Sequence, residues 1–120
     1  MATTDAMTRL VLGTDRVQQW RPDGLTTDTT CGYWILALVA GASESDSEEE
    51  AELDRDVACA ALASRSWSGS YVASSVRREL ALMGQGDRLD RWASILRGDA
   101  TPTEREREAY EKATGAEWED

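Results

Sequence analysis

The sequence predicts an all-α fold, a compact single-domain bundle of four to six helices, with room for one short N-terminal strand. Three observations point there. Apolar residues recur at intervals of three and four in the segments around Val57, Val76 and Trp92, the period of an amphipathic helix. Ser, Thr or Asp stands before those segments and Gly behind them, the residues that start and stop helices. The chain has 120 residues and is 41% hydrophobic, enough for one core without disulfides or a structural metal.

Read in order, Ala6 to Trp20 is ambiguous: Met7, Leu10 and Val11 suit a helix, while Arg9 to Leu12 suit a strand. Arg21-Pro22-Asp23-Gly24 is a turn, and Thr26 to Thr30 reads as a loop. Cys31 to Ala40 is apolar all round. It is expected as a buried helix around which the others gather, with a buried strand as the alternative that periodicity alone leaves open. Gly41 to Ser47 is an acidic loop. Ser47 and Glu50 form a capping box for a helix over Glu48 to Ser64, with Leu53, Val57, Ala60 and Ala61 on one side. Its small residues would let a neighbouring helix approach closely. Val72, Val76, Leu80 and Met83 form the next face, capped by Ser68 or Ser70 and closed by Gly84 and Gly86. Asp87 is expected to cap Arg88 to Arg97, whose apolar face is Leu89, Trp92, Ile95 and Leu96, with Gly98 as its stop. In Thr101-Pro102-Thr103-Glu104 the first Thr is expected as N-cap, Pro102 as first helical residue and Glu104 as the capping-box partner. The helix Pro102 to Thr114 is then polar nearly all round, with only Ala109, Tyr110 and Ala113 able to touch a core, and Gly115 ends it. Residues 1–115 are thus read as one domain and 116–120 as an acidic tail.

Net charge is −10, and it is uneven. Residues 1–54 carry three Arg against eleven acids (−8), 55–97 seven Arg against four acids (+3), and 98–120 three basic residues against eight acids (−5). Charge of this size repels nucleic acid and steers a protein toward basic surfaces. A single Lys beside twelve Arg, with Asn, Phe and His absent, suggests a GC-rich genome, bacterial or that of a bacterial phage. Two cysteines are too few for a secreted disulfide framework. Met1 to Gly13 lacks the basic start and apolar stretch of a signal peptide. The longest apolar run, Tyr33 to Ala42, falls short of the roughly 20 residues that span a bilayer. The expected location is the cytoplasm of a bacterial or phage-infected cell, with no membrane partner.

Catalysis is not expected, and neither are a cofactor or a metal. Lack of His removes the commonest general base and metal ligand, and with it Ser-His and Cys-His nucleophile pairs. Cys31 and Cys59 cannot make a tetrahedral zinc site. Cys31 before Gly32-Tyr33-Trp34 sits where cysteine hydrolases place a nucleophile, but its base is missing, and a structural thiol is expected there and at Cys59. Gly84-Gln85-Gly86 follows a helix and lacks the third glycine of a dinucleotide loop.

Two sets of residues remain as partner-binding candidates. Glu48, Glu52 and Asp56, with Glu49 beside them, fall along one helix at intervals of four, and Glu104, Glu108 and Glu111 do much the same on the last helix. Both stripes read as solvated, and rows of carboxylates on a rigid helix can imitate nucleic-acid phosphates. Of five tryptophans, Trp34 and Trp92 are expected in the core, and Trp20 and Trp67 beside turns. Trp118, in the acidic tail, is expected with Tyr110 to anchor a partner, since Trp is enriched at binding hot spots.

The lead expectation is therefore a non-enzymatic acidic inhibitor or regulator, monomeric or homodimeric. It would dock on a larger protein or complex, one with a basic nucleic-acid groove, and act by occlusion or mimicry. In size, acidity and missing chemistry the profile is similar to small phage-encoded inhibitors of bacterial defence nucleases, anti-CRISPR proteins among them. The alternative is a DNA-binding regulator. Residues 60–78 resemble a helix-turn-helix, with Ser68, Ser70, Tyr71, Arg77 and Arg78 as contacts. There, however, Ser66 takes the place of the turn glycine, and Arg65 and Ser75 stand where apolar residues should join the two helices.

Overall fold

A computed structural model describes the backbone of residues 28–64 and 70–119 and the side chains of 32–64 and 73–119. The ambiguous stretch Ala6 to Trp20, the turn at Arg21 to Gly24, Trp67 and Ser68 lie outside these, as do the side chains of Ser70 and Val72. Among the described residues the chain is all-α, with five helices and no strand: α1 (Asp28–Ala42), α2 (Glu48–Ser64), α3 (Ser70–Leu82), α4 (Gly86–Arg97) and α5 (Glu104–Thr114). None of these helices is long and apolar enough to cross a membrane.

Residues 31–40 belong to a helix, so the strand alternative falls. That helix starts earlier than expected: Asp28, Thr29 and Thr30 form its first turn and are not loop. An acidic residue is favourable there, where unpaired backbone N–H groups carry the positive end of the helix dipole.

The organising helix is α2, not α1. It contacts α1, α4 and α5 extensively and α3 slightly, whereas α1 packs on α2 and α3. The reason is in its sequence. Asp56 to Leu62 is buried at every position, and four of those seven residues are Ala58, Cys59, Ala60 and Ala61. Small side chains let neighbours approach from several sides at once. Around them the core is closed by Trp34, Ile35 and Leu38 from α1, Val76 and Leu80 from α3, Trp92 and Ile95 from α4, and Ala109 and Ala113 from α5. Leu53, Met83, Leu89 and Leu96 pack against its edge.

The helix ends follow backbone accounting. Ser47 Oγ accepts from Glu50 N at 3.3 Å, but Ser47 N donates to Ser45 Oγ and not to the Glu50 carboxylate, so the expected capping box is only half formed. Glu48, Glu49 and Glu50 fill the first turn of α2. Gly98 is left-handed (φ 85°) and donates to Ile95 O while Asp99 N donates to Ser94 O, orphan carbonyls that a residue with a Cβ would satisfy only under strain. Gly115 closes α5 in the same conformation. Two further caps differ from the sequence reading. α4 begins at Gly86 behind Gln85, and no side chain caps it, so Asp87 lies in the first turn. α5 begins two residues later than expected: Thr103, not Thr101, is the N-cap. Thr103 Oγ1 accepts from Glu106 N at 3.2 Å, and Glu106 Oε1 accepts from Thr103 N at 2.9 Å. The sequence offers the Thr-x-x-Glu pattern twice, and only the second register turns its Glu toward a partner on α4.

Removing the true cap should cost about 0.5–2 kcal/mol of unfolding free energy. Thr103→Ala is therefore expected to lower the urea midpoint, while Thr101→Ala leaves it in place. The reverse order would reinstate Thr101 as the cap.

Candidate functional site

The expected acidic stripe on α2 divides. Asp56, named above as a solvated contact residue, is buried, with 1% of its surface exposed. Its Oδ1 accepts from Arg88 Nη1 at 2.8 Å and from Trp92 Nε1 at 3.2 Å, and its Oδ2 accepts from Arg105 Nε at 2.9 Å. Glu52, one turn before it, also meets Arg88 and, at 3.3 Å, Arg55. A carboxylate leaves water only where donors replace its hydration, and here α4 and α5 supply them. Asp56 is therefore a core residue and no surface contact, and Glu52 is tied inward. Glu48, 80% exposed, pairs with Arg55.

A second inward pair joins α4 to α5. Arg91 donates from Nε and Nη2 to the two oxygens of Glu106 at 3.1 and 2.9 Å, and from Nη2 to Thr101 O at 2.9 Å. Glu106 is 5% exposed and was not singled out from the sequence. Its signal was available as the glutamate of the second capping pattern.

Burial alone would raise the carboxyls of Glu52 and Glu106. For Glu52 the bond and charge of Arg88, with the charges of Arg55 and Arg105, outweigh it and hold the group below its ordinary value. For Glu106 the bond from Arg91 and those from Thr103 do the same.

What remains outside is acid. Glu49, Glu50 and Leu53 of α2 face Glu104, Arg105 and Glu108 of α5 across an open groove of about 580 Å³. All four glutamates are exposed, and no ion pair among the described residues engages them. The structure thus joins parts of two stripes that the sequence kept separate. Glu50, expected from the sequence only as a capping-box partner, uses its backbone N in the cap and leaves its carboxylate to the groove. Glu111 is exposed but does not line the groove. Tyr110 and Trp118 meet edge to face, ring centres 5.1 Å apart, both half-buried against the chain's own core. Two residues on from Glu108, Tyr110 points away from the groove side of α5.

Of the residues proposed for DNA contact, Arg77 and Arg78 are exposed on α3, and the side chains of Ser68, Ser70 and Tyr71 lie outside the described residues. The two helices of that reading, α2 and α3, barely touch. Much of the +3 middle is consumed internally, since Arg55, Arg88 and Arg91 are held by Glu48, Glu52, Asp56 and Glu106. Cys59 is fully buried, and burial pushes its thiol up to about 12, which suits a packing role and not a nucleophile. The Cys31 side chain lies outside the described ones. No group of three or more His, Cys, Asp or Glu among the described residues could hold a metal ion.

Two outcomes follow from the inward pairs. Asp56→Ala leaves Arg88 and Arg105 without their common partner. Breaking a buried pair costs about 3–5 kcal/mol, and both arginines keep some access to water, so a loss of about 3 kcal/mol is expected from urea denaturation. Exposed Glu48→Ala should shift stability by no more than about 0.5 kcal/mol. Secondly, because the carboxyls of Glu52 and Glu106 are lower in the folded than in the unfolded chain, their contribution is present above the unfolded value of about 4.3. It is lost as pH falls through the folded values. The denaturation midpoint should drop steeply below about pH 4.3, and Glu106→Gln should flatten that drop. Comparison with family models, with curated proteins and with solved structures finds no match to this chain, so its functional reading rests on the groove and the charges around it.

Proposed function

We propose that the chain is a non-enzymatic acidic regulator that docks on a larger protein through the α2–α5 groove. The partner carries a basic nucleic-acid groove, and the chain acts by occluding it, in the manner of a small phage-encoded anti-defence inhibitor. The observation that carries this reading is the segregation of charge. Four exposed glutamates converge on one groove with a single arginine, Arg105, and that arginine is already held by Asp56. Acid so concentrated in one concave place is costly to the isolated fold, because like charges repel, and it gives a basic partner both steering and orientation. Leu53 on the same wall offers an apolar contact for the middle of an interface.

The contact set is accordingly Glu49, Glu50, Glu104 and Glu108. Glu48, Glu111 and the Tyr110–Trp118 pair would stand at its margin or serve a separate contact. The use of Arg88 and Arg91 inside the bundle removes charge that the helix-turn-helix alternative would have on its surface.

The test is recovery of a partner by the tagged protein from a nuclease-treated, GC-rich bacterial lysate, beside a Glu50→Arg/Glu108→Arg variant of unchanged circular dichroism. The expected result is a nucleic-acid-processing complex retained by the wild type, released by salt, and lost from the variant by at least tenfold. Recovery of DNA that disappears on nuclease treatment, with affinity for duplex DNA abolished by Arg77→Glu, would overturn the proposal in favour of the DNA-binding regulator.

A further inference from the structure

We propose that the groove also accepts a second copy of this chain, through the exposed face of α3, so that the protein self-associates head to tail and competes with its own partner. The inference rests on the groove being the docking surface described above.

The face in question is Arg77, Arg78, Ala81 and Leu82, all exposed. At helical spacing Arg78 lies beside Leu82 and Arg77 beside Ala81. Leu82 is 75% exposed and is the one exposed large hydrophobic residue among those described. A single exposed Leu needs no explanation, but this one adjoins a pair of unusual cations. The described ion pairs use Arg55, Arg88, Arg91, Arg97 and Arg105, and none uses Arg77 or Arg78. Among the described residues, one helix face thus carries two arginines outside any ion pair, beside a leucine. Elsewhere the chain shows one groove of four unengaged glutamates around a leucine, Leu53. Sign and apolar content both complement.

The two surfaces do not satisfy each other within one chain. α3 packs chiefly on α1, the groove lies between α2 and α5, and no ion pair joins them among the described residues. Between copies they can meet. Because donor face and acceptor groove are different patches, the contact is heterologous, and each added copy presents a free groove at one end and a free face at the other. One helix face in one groove falls below the roughly 1,200 Å² of ordinary stable interfaces. A net charge of −10 per chain opposes association as well. Assembly is thus weak, reversible and confined to high concentration.

The experiment is sedimentation velocity at physiological ionic strength over a concentration series, using the whole chain. One variant, Arg77→Gln/Arg78→Gln, lacks the cationic face and keeps the groove. The other, Glu50→Arg/Glu108→Arg, lacks the groove and keeps the face. The wild-type sedimentation coefficient should rise continuously with concentration, and each variant alone should stay monomeric. An equimolar mixture should give a one-to-one dimer that grows no further, since its free ends are both dead. A monomeric wild type at every concentration, self-association by either variant alone, or a mixture that fails to pair would each overturn the proposal. A nona-arginine peptide separates this failure from that of the functional reading. Wild type that stays monomeric yet binds the peptide, while the groove variant does not, retires self-assembly and leaves the groove as a docking site.

Discussion

The bundle depends on one buried carboxylate. Asp56 lies in the most enclosed stretch of α2, and its three donors come from the two helices that follow α3: Arg88 and Trp92 from α4, Arg105 from α5. Moving a carboxylate out of water costs several kcal/mol, so this position is tolerable only when both helices are docked. The apolar faces of α4 and α5 would bring them to α2 in several registers, because dispersion and burial are weakly directional. A fixed carboxylate with two arginines and an indole N–H accepts one. In α5 the same register is what sets Thr103 as cap, since it turns Glu106 to Arg91.

That arrangement decides the outward charge as well. Glu52, Asp56 and Glu106 are matched inside by Arg88, Arg91 and Arg105. The interior balances, and the excess acid is left to the surface. A sequence whose middle third reads as mildly basic therefore folds into a body on which much of that basicity is hidden. Charge summed along a chain and charge displayed by a fold are different quantities when the arginines are structural.

The helices themselves were legible. The α2 bounds, the α4 and α5 stops at Gly98 and Gly115, and the core roles of Trp34, Val57, Val76, Leu80, Trp92 and Ile95 follow from period and punctuation, because those signals are local. The partition of the acidic stripe was not. Spacing places Glu48, Glu52 and Asp56 on one side of a helix but does not say whether water or an arginine-bearing helix lies opposite. Arg88 and Arg91 flank Leu89 and Trp92 on an amphipathic helix, and a buried indole needs an acceptor; together these were the signal that a carboxylate elsewhere had to come inward. The groove was illegible for a related reason. It requires α2 and α5 to be neighbours, and two helices, α3 and α4, stand between them along the chain, so no local pattern reveals that pairing.

Arg105 ties these two levels together. Its Nε is held by Asp56 in the interior while its side chain forms part of the groove wall. A lysine could neutralise the same carboxylate, but as a point charge it would have to give up one role for the other. The planar guanidinium offers several donors from one rigid fork, so it can keep one bond inward and still stand among Glu49, Glu50, Glu104 and Glu108. Among the described residues lining the groove, its one cation is thus fixed by the core. Whatever enters meets carboxylates that Arg105 cannot swing out to neutralise, and the residue that organises the fold thereby keeps the groove acidic.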